Sequence, residues 1–187
     1  MKNRCEWCLG SDIYERYHDE EWGVPVRDDI QLFENLTLEG AQAGLSWITI
    51  LKKREGYRKA FFNWDLERIA HLTDQELDER CKNPEIVRHK QKIYSVRANA
   101  KAALEVQREF SSLSNYFWSF VNNDPIKNNP KTLNDLPSET TLSKTISKNL
   151  KLRGFTFVGS KTVYAFMQAS GLVDDHVSHC WKSKDST

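Results

Sequence analysis

"LRGFTFVGSKT", residues 152–162, joins two stretches that read as helices, Leu142 to Leu152 before it and Ser160 to Ser170 after it. Gly154 and Gly159 bracket the join, which predicts a short hairpin between the helices. Glycines let backbone amides approach a phosphate, and the helix that follows presents its N-terminus to the same anion. An ordinary helix connection can carry the same pair of glycines. The two uses differ in the charge they need around the turn.

That charge is basic. From Thr140 to Val173 there is no acidic residue, while Lys144, Lys148, Lys151, Arg153 and Lys161 all occur. A second acid-free stretch, Ile86 to Leu104, carries Arg88, Lys90, Lys92, Arg97 and Lys101. On a chain of formal net charge +1, which by itself speaks neither for nor against nucleic acid, such clustering points to one positive face. A solvated helix surface would read the same way.

Outward from the hairpin the pattern stays helical. Asp28-Asp29 can cap a helix whose apolar positions Ile30, Leu32, Phe33, Leu36 and Leu38 run toward Gly44, and Ser46 can cap another through "WITILKK". "TDQE", residues 73–76, has capping-box form, and Pro84 opens a longer helix through about Glu109. Residues 113–122 read as a further helix, and 123–141, rich in Asn, Pro, Ser and Thr, as a long surface connection. The expectation is a single all-α domain over residues 1–187, without internal repeats. Its 39% hydrophobic and 28% charged residues fit a soluble globular protein, and no apolar run approaches the ~18 residues of a membrane span. The charged N-terminus "MKNRCEWC" is no secretory signal. The expected location is therefore the cytoplasm, where cysteines serve metal or catalysis more often than disulfides.

"VDDHVSHC", residues 173–180, places His176 and Cys180 on one face of a helix or turn. Near the other end sit Cys5, Cys8 and His18. Zinc favours four Cys and His ligands in a tetrahedron, so Cys5, His18, His176 and Cys180 could tie the chain ends together. A competing set uses Cys8 or His179, since "CEWC" has zinc-knuckle spacing; a redox pair or incidental thiols are further alternatives.

Taken in order, "RCEW", "YHDEEWGVP", "LFENLTLEGAQAGLSWITILKKRE", "IVRHKQKI", "FWSFVNND", "RGFTFVG" and "FMQASGLVDDHVSHC" resemble the 3-methyladenine DNA glycosylase I family of helix–hairpin–helix repair enzymes, over nearly the whole length. The resemblance implies one structural Zn2+ per chain on Cys5, His18, His176 and Cys180, with Cys8 and His179 outside the site. It further implies a helical core of about 28–170 and a zinc-binding lobe from 1–27 and 171–187. The implied activity is monofunctional. A monomer acts on double-stranded DNA, flips out 3-methyladenine and hydrolyses its N-glycosidic bond without lyase chemistry, releasing the free base. Trp7, Tyr14, Tyr17, Trp22 and Trp47 are implied to form the base box or its walls, since aromatic faces stack on a cationic base. Plain core packing is the bland alternative for each.

In the same resemblance Glu39 accepts a hydrogen bond from the exocyclic amine of adenine. Gly44 and Leu45 form the wedge that fills the gap left in the duplex. Lys161 and the amides of the Gly154–Gly159 hairpin hold phosphates. One departure stands out. The family is described as lacking the Asp that many related glycosylases use to steer water or stabilise the sugar cation, often with Asn in its place, yet residue 174 is Asp. Asp174 either supplies catalytic charge or caps a helix beside the metal site. Two other functions fit the same features: excision of another alkylated purine such as 3-methylguanine, or a zinc-stapled module that binds damage without cleaving it.

Overall fold

Asp28 begins the helix expected of it. Its side chain accepts a hydrogen bond from the Gln31 amide at 2.9 Å, and α2 runs Asp29–Gln42. The computed structural model describes residues 2–183. Around α2 lie α1 (Asp12–Glu20), α3 (Trp47–Ala60), α4 (Leu66–Ala70), α5 (Asp74–Arg80), α6 (Lys90–Phe110), α7 (Leu113–Ser119), α8 (Thr141–Leu152) and α9 (Ser160–Ala169). Thr73 and Glu76 close the capping box that "TDQE" predicts. Ser46 is the N-cap residue of α3, but its hydroxyl bonds Thr49 Oγ1 and not a backbone amide.

Pro84 does not open α6. That helix starts six residues later, with the His89 side chain accepting from Lys92 N. Tertiary bonds hold the intervening segment against α3: Lys53 Nζ donates to the Pro84 carbonyl at 2.6 Å, and Val87 N to the Tyr57 hydroxyl at 3.3 Å. The fold is mostly helical. It departs from the all-α expectation at one two-residue parallel pairing, β1 (Ile126–Lys127) with β2 (Val173–Asp174). This pairing anchors the long 123–141 connection to the chain beyond α9.

The core forms around α2, whose Leu32, Phe33, Leu36 and Leu38 are all buried, as are Ile93 and Val96 of α6 and Phe166 of α9. Each such side chain contributes about 1.5–3 kcal/mol by leaving water. The two ends of the chain are laced onto this body. Gly23 N donates to Gln168 O at 2.9 Å, Val26 N to Ser170 O at 3.0 Å and Trp181 N to Asn3 O at 2.8 Å. At Gly171, with φ +67°, a Cβ would stand 2.4 Å from the backbone of Val24 and Pro25, so only glycine permits this approach.

Candidate active site

α2 carries the polar centre of the site. Glu39, near its C-terminal end, is 6% exposed and accepts no hydrogen bond from any described residue. Burial alone pushes its carboxyl up to about 8. It opens into a cleft of about 220 Å³, a volume suited to a flat heterocycle. Gln42 lies three residues on, on the same face of α2, and lines the cleft beside it.

Aromatic rings supply the walls. Tyr17 comes from α1, Trp22 from the turn after it, Trp7 from a single 3-10 turn at Glu6–Cys8, and Trp47 from the first residue of α3. Trp7 meets Trp22 edge to face at 5.2 Å, and Tyr17 meets Trp47 at 5.5 Å. The indole Nε1 of Trp47 is buried beside the Tyr17 hydroxyl. The cleft thus offers a buried carboxyl, the Gln42 amide and stacking faces, which suit a purine carrying a positive charge. Burial, with Glu39 nearby, raises the Tyr17 hydroxyl well above its ordinary range, so it stays a phenol. Tyr14 does not line the cleft. It stands edge-on behind Trp7 at 5.8 Å, and its hydroxyl accepts from Ile48 N at 2.9 Å, tying α1 to the start of α3.

Sequence reasoning missed the remaining wall, formed by Leu136, Ala165 and Gln168. Gln168 is oriented by Asp175, a fully buried carboxylate that accepts from Gln168 Nε2, Tyr164 Oη and Asn128 Nδ2, each at 2.7 Å. Asp175 therefore supports the cleft, whereas its neighbour Asp174 faces the metal-type cluster. Asp174 Oδ1 accepts from His176 N at 3.2 Å and lies 2.7 Å from His176 Nδ1. No helix follows Asp174 among the described residues, so it does not cap one there, and it does not line the cleft.

The ligand atoms of Cys5, His18 and Cys180 all lie within 4.8 Å of one another, and all three residues are buried. His18 Nε2 sits 3.4 Å from Cys180 Sγ, while its Nδ1 is held 2.9 Å from Asp19 Oδ1. The His176 ring packs edge-on against His18 at 5.1 Å, and its Nε2 is buried with no partner. Of the four expected ligands the structure groups three, Cys5, His18 and Cys180, and leaves His176 beside them but outside that group. Each imidazole is held by a carboxylate at Nδ1, and the residue types suit zinc. The orphaned Nε2 is what such an ion would satisfy. Cys8 and His179 are engaged elsewhere. Cys8 Sγ donates to the Cys5 carbonyl at 3.1 Å, and His179 lies at the surface, 3.1 Å from Glu6. The cluster also builds the cleft, because Trp7 and Trp22 pack directly on the rings of His18 and His176.

The expected DNA-facing residues lie at the surface. Gly44, with φ +81°, precedes Leu45, whose side chain is 40% exposed. The turn from Gly154 to Gly159 is pinned at its base, where Asn99 bonds both the amide and the carbonyl of Thr156 at 2.8 and 3.1 Å. Lys161 is exposed on the first turn of α9.

The methyladenine glycosylase family model matches residues 7–183 of the chain. The "DNA-3-methyladenine glycosylase" of Haemophilus influenzae is 48% identical over 180 residues, 96% of this chain and 97% of that protein. A crystal structure of 3-methyladenine DNA glycosylase I superposes with a TM-score of 0.94 at 44% identity, covering 96% of this chain and 99% of that one. A variant of 3-methyladenine DNA glycosylase I in complex with 3-methyladenine gives 0.93 at 36% identity, covering 95% and 96%. An aromatic cleft with one buried carboxyl and these likenesses along the whole chain lead to one conclusion: the chain belongs to the methyladenine glycosylase family.

Proposed function

We propose that this chain is a DNA repair glycosylase that excises 3-methyladenine from alkylated DNA and leaves an abasic site. The observation that carries the reading is Glu39, a buried carboxyl at the end of an aromatic cleft with no hydrogen-bond partner among the described residues. Such a group is costly unless a ligand satisfies it. A base methylated at N3 is cationic while joined to its sugar, so the aromatic faces and Glu39 favour it over an ordinary base. Water adds to the sugar carbon as the glycosidic bond breaks. The bonding electrons neutralise the departing purine, and the water's proton passes to solvent. A leaving group of this kind needs little protonation, and binding and orientation supply most of the rate.

Release of free base from alkylated DNA, followed chromatographically, tests the reading. Binding without release would leave the damage-binding module. Faster release of 3-methylguanine would change the lesion, which Glu39 opposes because guanine carries a carbonyl where adenine carries its amine.

The finer assignments belong to the same proposal. Cys5, His18, His176 and Cys180 hold one structural Zn2+, which staples the chain ends and takes no part in the reaction. Asp174 orients His176 rather than stabilising the sugar cation. Asp174→Asn should therefore keep excision within a few-fold while weakening zinc retention about tenfold, as loss of a ligand's supporting carboxylate does. A loss of single-turnover rate of about 10²-fold with zinc intact would assign Asp174 to catalysis instead. Leu45 enters the duplex, and the helix–hairpin–helix formed by α8, the Gly154–Gly159 turn and α9 takes a phosphate, with Lys161 beside it. Lys161→Ala should make the dependence of duplex affinity on salt shallower by roughly one unit of slope. An unchanged slope would remove Lys161 from the interface.

A further inference from the structure

Lys92 is a buried lysine that the reaction does not use. It is the third residue of α6, where the helix dipole disfavours a cation, and burial pushes its ammonium below the ordinary lysine range. Two unfavourable terms are offset by two bonds. Nζ donates to the Ala41 carbonyl at 2.9 Å and to the Ala43 carbonyl at 2.5 Å. Ala41 lies in the last turn of α2 and Ala43 is its C-cap, where carbonyls lack helical partners and the dipole favours a cation.

The segment held in this way carries two functions within a few residues. Glu39 and Gln42 face the cleft, and Leu45 stands out at the surface. Leu45 N donates to Gln42 O at 2.6 Å, so the tip is continuous with the end of α2. Residues 43–46 are exposed and include a glycine at φ +81°, a composition that swings freely unless anchored. The anchor comes from the 21-residue α6, which packs into the core.

We propose that Lys92 is a positioning residue for base extrusion, pinning the end of α2 so that Leu45 projects at a fixed offset from the Glu39 cleft. The proposal rests on Leu45 being the wedge. It assigns Lys92 a role in removing a base from a duplex and none in cleaving a base that is already unpaired.

The test compares single-turnover excision of 3-methyladenine from a duplex and from a single strand of the same sequence, in Lys92→Met, Lys92→Gln, Leu45→Ala and the double variant Lys92→Met with Leu45→Ala. Methionine keeps the linear apolar stem and removes the donor. The quantity read is the duplex to single-strand rate ratio. A partly unfolded fraction lowers both rates and cancels in that ratio. Lys92→Met should lower the ratio about tenfold, the size of losing hydrogen bonds made by a charged group. Lys92→Gln, which keeps one donor and covers the case where the methionine variant does not fold, should lower it less. Leu45→Ala should lower it too, and the double variant should be no worse than the worse single one, since both changes disable one device. An unchanged ratio in Lys92→Met beside a lowered one in Leu45→Ala overturns the role of Lys92 and leaves the wedge standing. Multiplying effects overturn it as well. An unchanged ratio in Leu45→Ala removes the wedge itself, and the role of Lys92 with it.

Discussion

Glu39→Gln should release 3-methyladenine about 10²-fold more slowly than the wild type, the loss expected for one preorganised electrostatic group, while binding undamaged duplex almost as well. The amide keeps the shape of the cleft and loses the charge. Burial holds the carboxyl at about 8, so at neutral pH the empty cleft is mostly protonated, and a docking cationic base must draw that proton off. The wild-type kcat/KM should therefore rise toward pH 8 and level off, and the variant should lack that rise. Stability runs the other way. The folded protein keeps a proton that the unfolded chain gives up near its ordinary value of 4.5, so stability falls as pH rises from there through about 8. The variant has no such proton and gains on the wild type across that interval. The gain is a few kcal/mol, at about 1.4 kcal/mol per unit of pKa. Melting curves at pH 5 and pH 8 read it directly. Equal losses of affinity for damaged and undamaged DNA would place Glu39 in the fold rather than the site.

On the proposed zinc site, His18→Ala and Cys180→Ala should each abolish metal binding and lower Tm by about 10 °C, which corresponds to a loss of roughly 3–5 kcal/mol in a domain of this size. The loss is smaller than the gross affinity of structural zinc sites because α2, α6 and α9 keep their own core. Far-ultraviolet circular dichroism should stay helical while binding of free 3-methyladenine fails, since Trp7 and Trp22 pack on the rings of His18 and His176. A strong chelator should reproduce both effects in the wild type. Metal analysis of the purified variants is decisive: full zinc together with normal melting in either one excludes the four-ligand site.

The helices legible in the sequence are those whose ends are set locally. Asp28 and Thr73 bond amides three residues on, and no tertiary contact was needed to foresee them. Pro84 misled because it and Val87 are held by Lys53 and Tyr57, 31 and 30 positions away in the chain. The helix α1 went unread for another reason: it is short and mostly charged, and its buried residues are the polar aromatics Tyr17 and His18. Basic clustering was legible, but its partners were not. Arg153 pairs with Glu109, Arg97 with Asp74 and Lys90 with Asp78, so acids from other segments neutralise much of what looked like an open positive face. In the site, Glu39 stood out as a carboxyl in an apolar run. Leu136 could not, since a leucine in a surface connection becomes a cleft wall only once β1 has paired with β2.

Gly171 presses against the backbone of Val24 and Pro25, and His18 lies beside Cys180. A ribosome delivers the first of these partners some 150 residues ahead of the second, several seconds at ordinary elongation rates. Trp7, Tyr17 and Trp22 thus emerge well before Gln168 and the residues around Cys180 that complete their surroundings. During that wait the helices from α2 to α8 can collapse on one another, but no base-binding cleft exists. A molecule lacking the segment beyond α9 should be helical without being able to hold an adenine.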